Sequence, residues 1–95
     1  MLRPKRLQMV TEGPTLEEEA RIDEHFNYLA NLAHQGTVIL FGRTTNDDES
    51  TFGLVIFEAK SSESATTLME NDPAVKSGIM HAKLFPYSVA FLRGR

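Results

Sequence analysis

The sequence predicts an α+β fold, with four antiparallel strands in one sheet and two helices on one of its faces. Three observations predict it. The elements run strand, helix, strand, strand, helix, strand. The first helix carries start and stop signals at both ends. The strands are apolar at even and odd positions alike.

The first strand is predicted over Lys5 to Glu12, where Leu7, Met9 and Val10 supply apolar character before Gly13-Pro14 closes it. Thr15 then opens a helix. Its hydroxyl can cap free amides, and Glu18 three residues on completes the capping-box pattern. Glu17, Glu18, Glu19, Asp23 and Glu24 crowd the early turns, where the helix dipole favours negative charge. Leu16, Ile22, Phe26, Leu29, Leu32 and Ala33 recur at helical spacing, and Gly36 is a suitable left-handed cap.

Thr37 to Thr44 reads as the second strand, rich in β-branched and aromatic residues. The polar run from Asn46 to Ser50 forms a hairpin tip before a third strand from Thr51 to Ala59. Ser61 caps a second helix whose apolar face carries Ala65, Leu68 and Met69. Asn71-Asp72-Pro73 breaks that helix, and a short turn runs from Ala74 to Gly78. Ile79 to Arg93 is predicted as a long last strand, with Pro86 marking a bulge or an edge because it has no amide to donate. This order is the ferredoxin-like βαββαβ arrangement, here as a single domain over residues 1–95.

Composition narrows the function. Ten Lys and Arg against thirteen Asp and Glu leave a net charge of −3, which argues against a general nucleic-acid binder. The chain has no cysteine, so thiolate chemistry, disulfides and Cys-held metals are excluded. No apolar run approaches the ~20 residues that span a bilayer, and the basic N-terminus lacks a signal-peptide pattern, so a cytoplasmic location is expected without membrane contact. Arg3, Lys5, Arg6, Arg93 and Arg95 cluster at the two ends, which neighbouring first and last strands would bring together.

An antiparallel sheet with one wet face alternates apolar and polar residues. Here Phe52, Leu54 and Ile56 point one way and Val55, Phe57 and Ala59 the other, and Val38 and Leu40 oppose Ile39 and Phe41. Two helices cover only one face. Leaving the other in water forgoes roughly 1.5–3 kcal/mol per large side chain. A homodimer packed sheet against sheet is the expected remedy.

Three histidines occur, none at metal-ligand spacing, so no metal site is expected. His25 lies on or beside the apolar stripe of the first helix. It is either a core histidine satisfied by backbone carbonyls or a general acid–base group lining a pocket. His34 falls on the opposite side of that helix, and His81 starts the last strand. Asp72 is an N-cap ahead of Pro73, or a carboxylate that orients an imidazole. Arg43, after Gly42, is a hairpin-edge cation or a grip for a substrate carboxylate.

Taken together, His25-Phe26-Asn27-Tyr28-Leu29, Leu32, Gly36, Val38-Ile39-Leu40-Phe41-Gly42, Ser64-Ala65, Leu68, Asn71-Asp72-Pro73-Ala74-Val75, Gly78 and Phe85-Pro86-Tyr87 resemble the YCII-related family, over about Leu7 to Tyr87. That family belongs to the dimeric α+β barrel superfamily. The resemblance implies a ferredoxin-like protomer, a dimer built through the sheets, and a site centred on a histidine and an aspartate, which map to His25 and Asp72. Where many members have Gly-Pro after the second strand, this chain has Gly42-Arg43, which changes the expected rim of the site.

Two functions follow as expectations. One is a cofactor-free enzyme acting on a small anionic organic substrate by His25/Asp72 acid–base chemistry, with Arg43 binding the substrate. By fold analogy alone its reaction would be an isomerisation, an elimination or an oxygenation. The other is a non-catalytic, small-molecule-binding or accessory dimer.

Overall fold

The computed structural model describes residues 1–93 other than Leu7. Leu7 and Arg95, named above in the first strand and the basic cluster, lie outside the described residues, as does the side chain of Val10.

The elements are β1 (Leu2–Pro4), α1 (Gln8–Thr11), α2 (Leu16–His34), β2 (Val38–Arg43), β3 (Gly53–Phe57), α3 (Ser62–Glu70), α4 (Pro73–Lys76) and β4 (Met80–Ala82). The strands form one antiparallel sheet in the order β2-β3-β1-β4, the ferredoxin-like order. Cross-strand partners share a face. Val38 opposes Phe57 and Phe41 opposes Val55, and Phe41 meets Phe26 of α2 edge-on with ring centroids 5.5 Å apart. That face is the helix face. Leu29 and Val38 are buried there, together with Leu2 and Ala74.

The capping signals of α2 are realised in full. Thr15 accepts from the Glu18 amide, and the Glu18 carboxylate accepts from the Thr15 amide. At the other end Gly36 sits at φ 86°, with the Thr37 amide on the Leu32 carbonyl and the Gly36 amide on that of Ala33. This pair of bonds is a Schellman cap, and the positive φ is what calls for glycine. Arg6 grips Glu18 through Nε and Nη2 at 2.9 and 2.7 Å, so it is a bound strut and not part of an open basic patch.

Three strand expectations are corrected. The first strand is not Lys5 to Glu12 but Leu2–Pro4, and Gln8–Thr11 is a helical turn closed by the bond from the Glu12 amide to the Gln8 carbonyl. A short apolar run fits either period, and Met9 is buried in this turn. The last strand is not Ile79 to Arg93 but Met80–Ala82. Met1 and Lys83 exchange two bonds (3.1 and 2.9 Å), and among the described residues the ladder of β4 with β1 runs from Met80 to Ala82. Strict alternation in β2 also fails. The register shifts between Val38 and Leu40, so Ile39 is a bulge residue and Val38 and Phe41 share the helix face. Leu40 and Leu54 are exposed on the opposite face, 45% and 40% accessible.

Candidate functional site

His25 sits midway along α2, and the turn Asn71-Asp72-Pro73 enters α4 beside it. Local chemistry fixes the turn. Pro73 supplies a pre-set φ at the first helical position, and Asp72 caps it, its Oδ1 accepting from the Ala74 amide at 2.9 Å. The same carboxylate faces the imidazole. Oδ1 and Oδ2 of Asp72 both lie 2.7 Å from Nδ1 of His25. Asp72 is buried and His25 nearly so, with side-chain exposures of 5% and 14%.

A carboxylate can only accept, so the ring nitrogen facing it carries the proton. Nε2 is then left with its lone pair. The pair can take a proton at Nε2 and hold the imidazolium against the carboxylate, then return the proton. The two expected residues are thus in contact. Asp72 acts as cap and imidazole partner at once, because Oδ1 accepts from the Ala74 amide while both of its oxygens face Nδ1 of His25.

Tyr28, one turn along from His25, was not singled out by the spacing of titratable residues. Its hydroxyl donates to the Leu68 carbonyl at 2.7 Å, tying α2 to α3. Burial first, and the negative charge of Asp72 second, push the phenol above its ordinary value of 10. The available signal was its place three residues after His25 on one helical face. Arg21, four residues before His25, pairs with Glu24 at 3.0 Å, and its Nε is buried without a hydrogen-bond partner among the described residues.

Arg43 is not brought to this place. It lies exposed at the end of edge strand β2, donating to the Thr44 carbonyl at 3.1 Å. His34 and His81 are exposed as well. Among the described residues no cluster of three His, Cys, Asp or Glu could hold a metal ion, and no helix is long and apolar enough to cross a membrane. A cavity of about 970 Å³ is lined by Asp72 and Val75 together with Leu29, Leu68 and Met69.

No curated protein matches the chain significantly. Among solved structures it is similar to 5-chloro-2-hydroxyhydroquinone dehydrochlorinase (TftG) from Burkholderia phenoliruptrix AC1100, in complex with 2,5-dihydroxybenzoquinone. The identity is 25%, the alignment covers 93% of this chain and 96% of that one, and the TM-score is 0.52. The model of the YCII-related domain matches residues 5–86, which take in β2, β3, β4, the helices and the His25–Asp72 pair though not β1, so the chain belongs to the YCII-related domain family.

Proposed function

We propose that the chain is an acid–base enzyme acting on a small anionic organic molecule, with His25 as the proton carrier and Asp72 as the group that fixes its tautomer. The observation that carries this reading is the 2.7 Å contact of Nδ1 with a buried, capped carboxylate. Such an arrangement holds the ring still and directs Nε2 as the exchanging atom. The likeness to a dehydrochlorinase supports elimination over isomerisation or oxygenation. In such a step Nε2 takes a proton from an acidic O–H or C–H of a hydroxylated ring. The electron pair left behind forms a new C=O or C=C bond, and the leaving group departs with its own pair. The net loss is HX, and the imidazolium passes its proton to water. Arg43 takes no part in this reading.

The test is halide release from halogenated hydroxyhydroquinones. Wild-type turnover that falls about 10²–10⁴-fold in His25→Ala supports the assignment. Turnover unchanged by that substitution sinks it and favours a binding module in which the pair only ties α2 to α4.

We further infer that two copies pack through the helix-free face. Leu40 and Leu54 are exposed there, and Ile56, the cross-strand partner of Leu40, is half-buried on the same face. A continuous apolar surface of this kind is the usual mark of a partner face.

A further inference from the structure

An anion that approaches Nε2 of His25 meets the negative charge of Asp72, and giving up a proton adds charge at the same place. Such charge calls for a fixed cation. Arg43 lies exposed at the sheet edge on the Thr44 carbonyl, Arg6 is held by Glu18, and Arg3 lies over the Phe52 ring at 6.0 Å. Arg21 differs from these in place and in bonding.

Its place follows from how α4 lies on α2. Asp72 meets His25, and beyond α4 the Ile79 carbonyl accepts from the Lys5 amide at 2.9 Å, next to Arg6, which grips Glu18. Residues 72–79 therefore run back along α2 from His25 toward Glu18. Arg21 lies between those two, three residues after Glu18 and four before His25, on one stripe of the helix. Helical side chains lean toward the helix start, so the imidazole lies over the turn that carries Arg21.

Its bonding is unbalanced. Nη1 pairs with Glu24 at 3.0 Å, with side-chain exposures of 37% and 50%. Exposed pairs of this kind contribute little. Nε is buried, with no hydrogen-bond partner among the described residues. A buried donor so placed has lost its hydration and gained nothing in return. The edge of the guanidinium away from Glu24, Nε with Nη2, presents two parallel N–H donors that fit a pair of oxygens on a planar anion.

We propose that Arg21 is the substrate-binding cation of the His25 site, turning its Nε–Nη2 edge onto vicinal or carboxylate oxygens of a planar organic anion and leaving Glu24 as it does so. The proposal takes its substrate class from the acid–base reading of His25. Glu24 is then a weak competitor for the guanidinium. Lys76, exposed at the end of α4 and four residues after Asp72, is the rival cation along this seam.

The experiment is calorimetric titration of the full chain with 2,5-dihydroxybenzoquinone, a planar acid ionised at neutral pH. It compares wild type with Arg21→Met, Arg21→Lys, Glu24→Gln and Lys76→Met. Arg21→Met is expected to weaken binding roughly 10- to 100-fold and to melt no lower than wild type, since it sheds an unpaired buried donor. Arg21→Lys keeps the charge without the fork and is expected to recover only part of the affinity. Glu24→Gln is expected to tighten binding about 2- to 5-fold by removing the competitor. Affinity unchanged in Arg21→Met, a loss that follows Lys76→Met instead, or a wild type that does not bind the quinone overturns the assignment. So does an Arg21→Met that melts lower together with an Arg21→Lys that binds as wild type, which marks a structural residue. Turnover separates this claim from the one on His25. Affinity lost in Arg21→Met with turnover insensitive to His25→Ala keeps the grip and removes the acid–base chemistry. Turnover lost in His25→Ala with wild-type affinity in Arg21→Met does the reverse.

Discussion

Forty-seven positions apart in the chain, the Nδ1 atom of His25 faces both carboxylate oxygens of Asp72 at 2.7 Å. The contact exists because two local devices agree. A long amphipathic helix carries the imidazole on its packed side, and an Asp-Pro cap aims a carboxylate back at that helix.

The two jobs of Asp72 separate in substitutions. Asp72→Asn keeps an oxygen for the Ala74 amide and is expected to melt within a few degrees of wild type while losing turnover. Asp72→Ala removes the cap as well and is expected to cost about 0.5–2 kcal/mol in denaturant unfolding. Equal turnover in Asp72→Asn and wild type contradicts the orienting role.

Tyr28 reports on the same carboxylate. Its phenol titrates above 10 through burial and the charge of Asp72, so the folded state binds that proton more tightly than the unfolded chain. Stability from this group is therefore present below pH 10 and declines as pH rises beyond it. In Asp72→Asn the ultraviolet titration of Tyr28 is expected to move down, though not fully, because burial is the larger cause. Tyr28→Phe loses the bond to Leu68 and is expected to cost about 0.5–1.5 kcal/mol.

At the surface, the Arg6 hydrogen bonds, then the Thr15 amide, hold the Glu18 carboxyl at about 2 against an ordinary 4.5. A depressed carboxyl stabilises the fold above its unfolded value and loses that contribution as pH falls through the folded one. Melting temperature is expected to drop between about pH 4.5 and 2, and Glu18→Gln to flatten that part of the curve. An identical acid limb in Glu18→Gln contradicts the strut.

Leu54→Glu places a charge on the helix-free face. Light scattering is expected to give twice the protomer mass for wild type and a single protomer mass for the variant. A wild type that is monomeric at all concentrations refutes the sheet-to-sheet dimer.

Much of this was legible in the sequence, for physical reasons that differ by element. Thr15, Glu18 and Gly36 act within a few residues of themselves, so both ends of α2 could be read off locally. Asp72 before Pro73 could be read as a cap for the same reason. Its contact with His25 is tertiary, and only the family resemblance pointed to it. The strands at the two ends were misread because a strand exists only where a partner does. Met9 and its neighbours turn into a helix, and among the described residues the last strand ends at Ala82. The bulge at Ile39 was invisible to an alternation rule that assumes no extra residue. Arg43 by type could be an anion grip or a hairpin-edge cation, and it lies exposed at the end of edge strand β2 with its guanidinium on the Thr44 carbonyl.

His25 is expected to present a bare Nε2 because Asp72 holds the proton on Nδ1. The imidazole ¹⁵N spectrum at neutral pH, without and with 2,5-dihydroxybenzoquinone, tests it most directly. The predicted result is a protonated Nδ1, a bare Nε2 that moves on adding the quinone, and loss of the fixed tautomer in Asp72→Asn. A bare Nδ1, or an Nε2 resonance that the quinone leaves unmoved, would contradict the account.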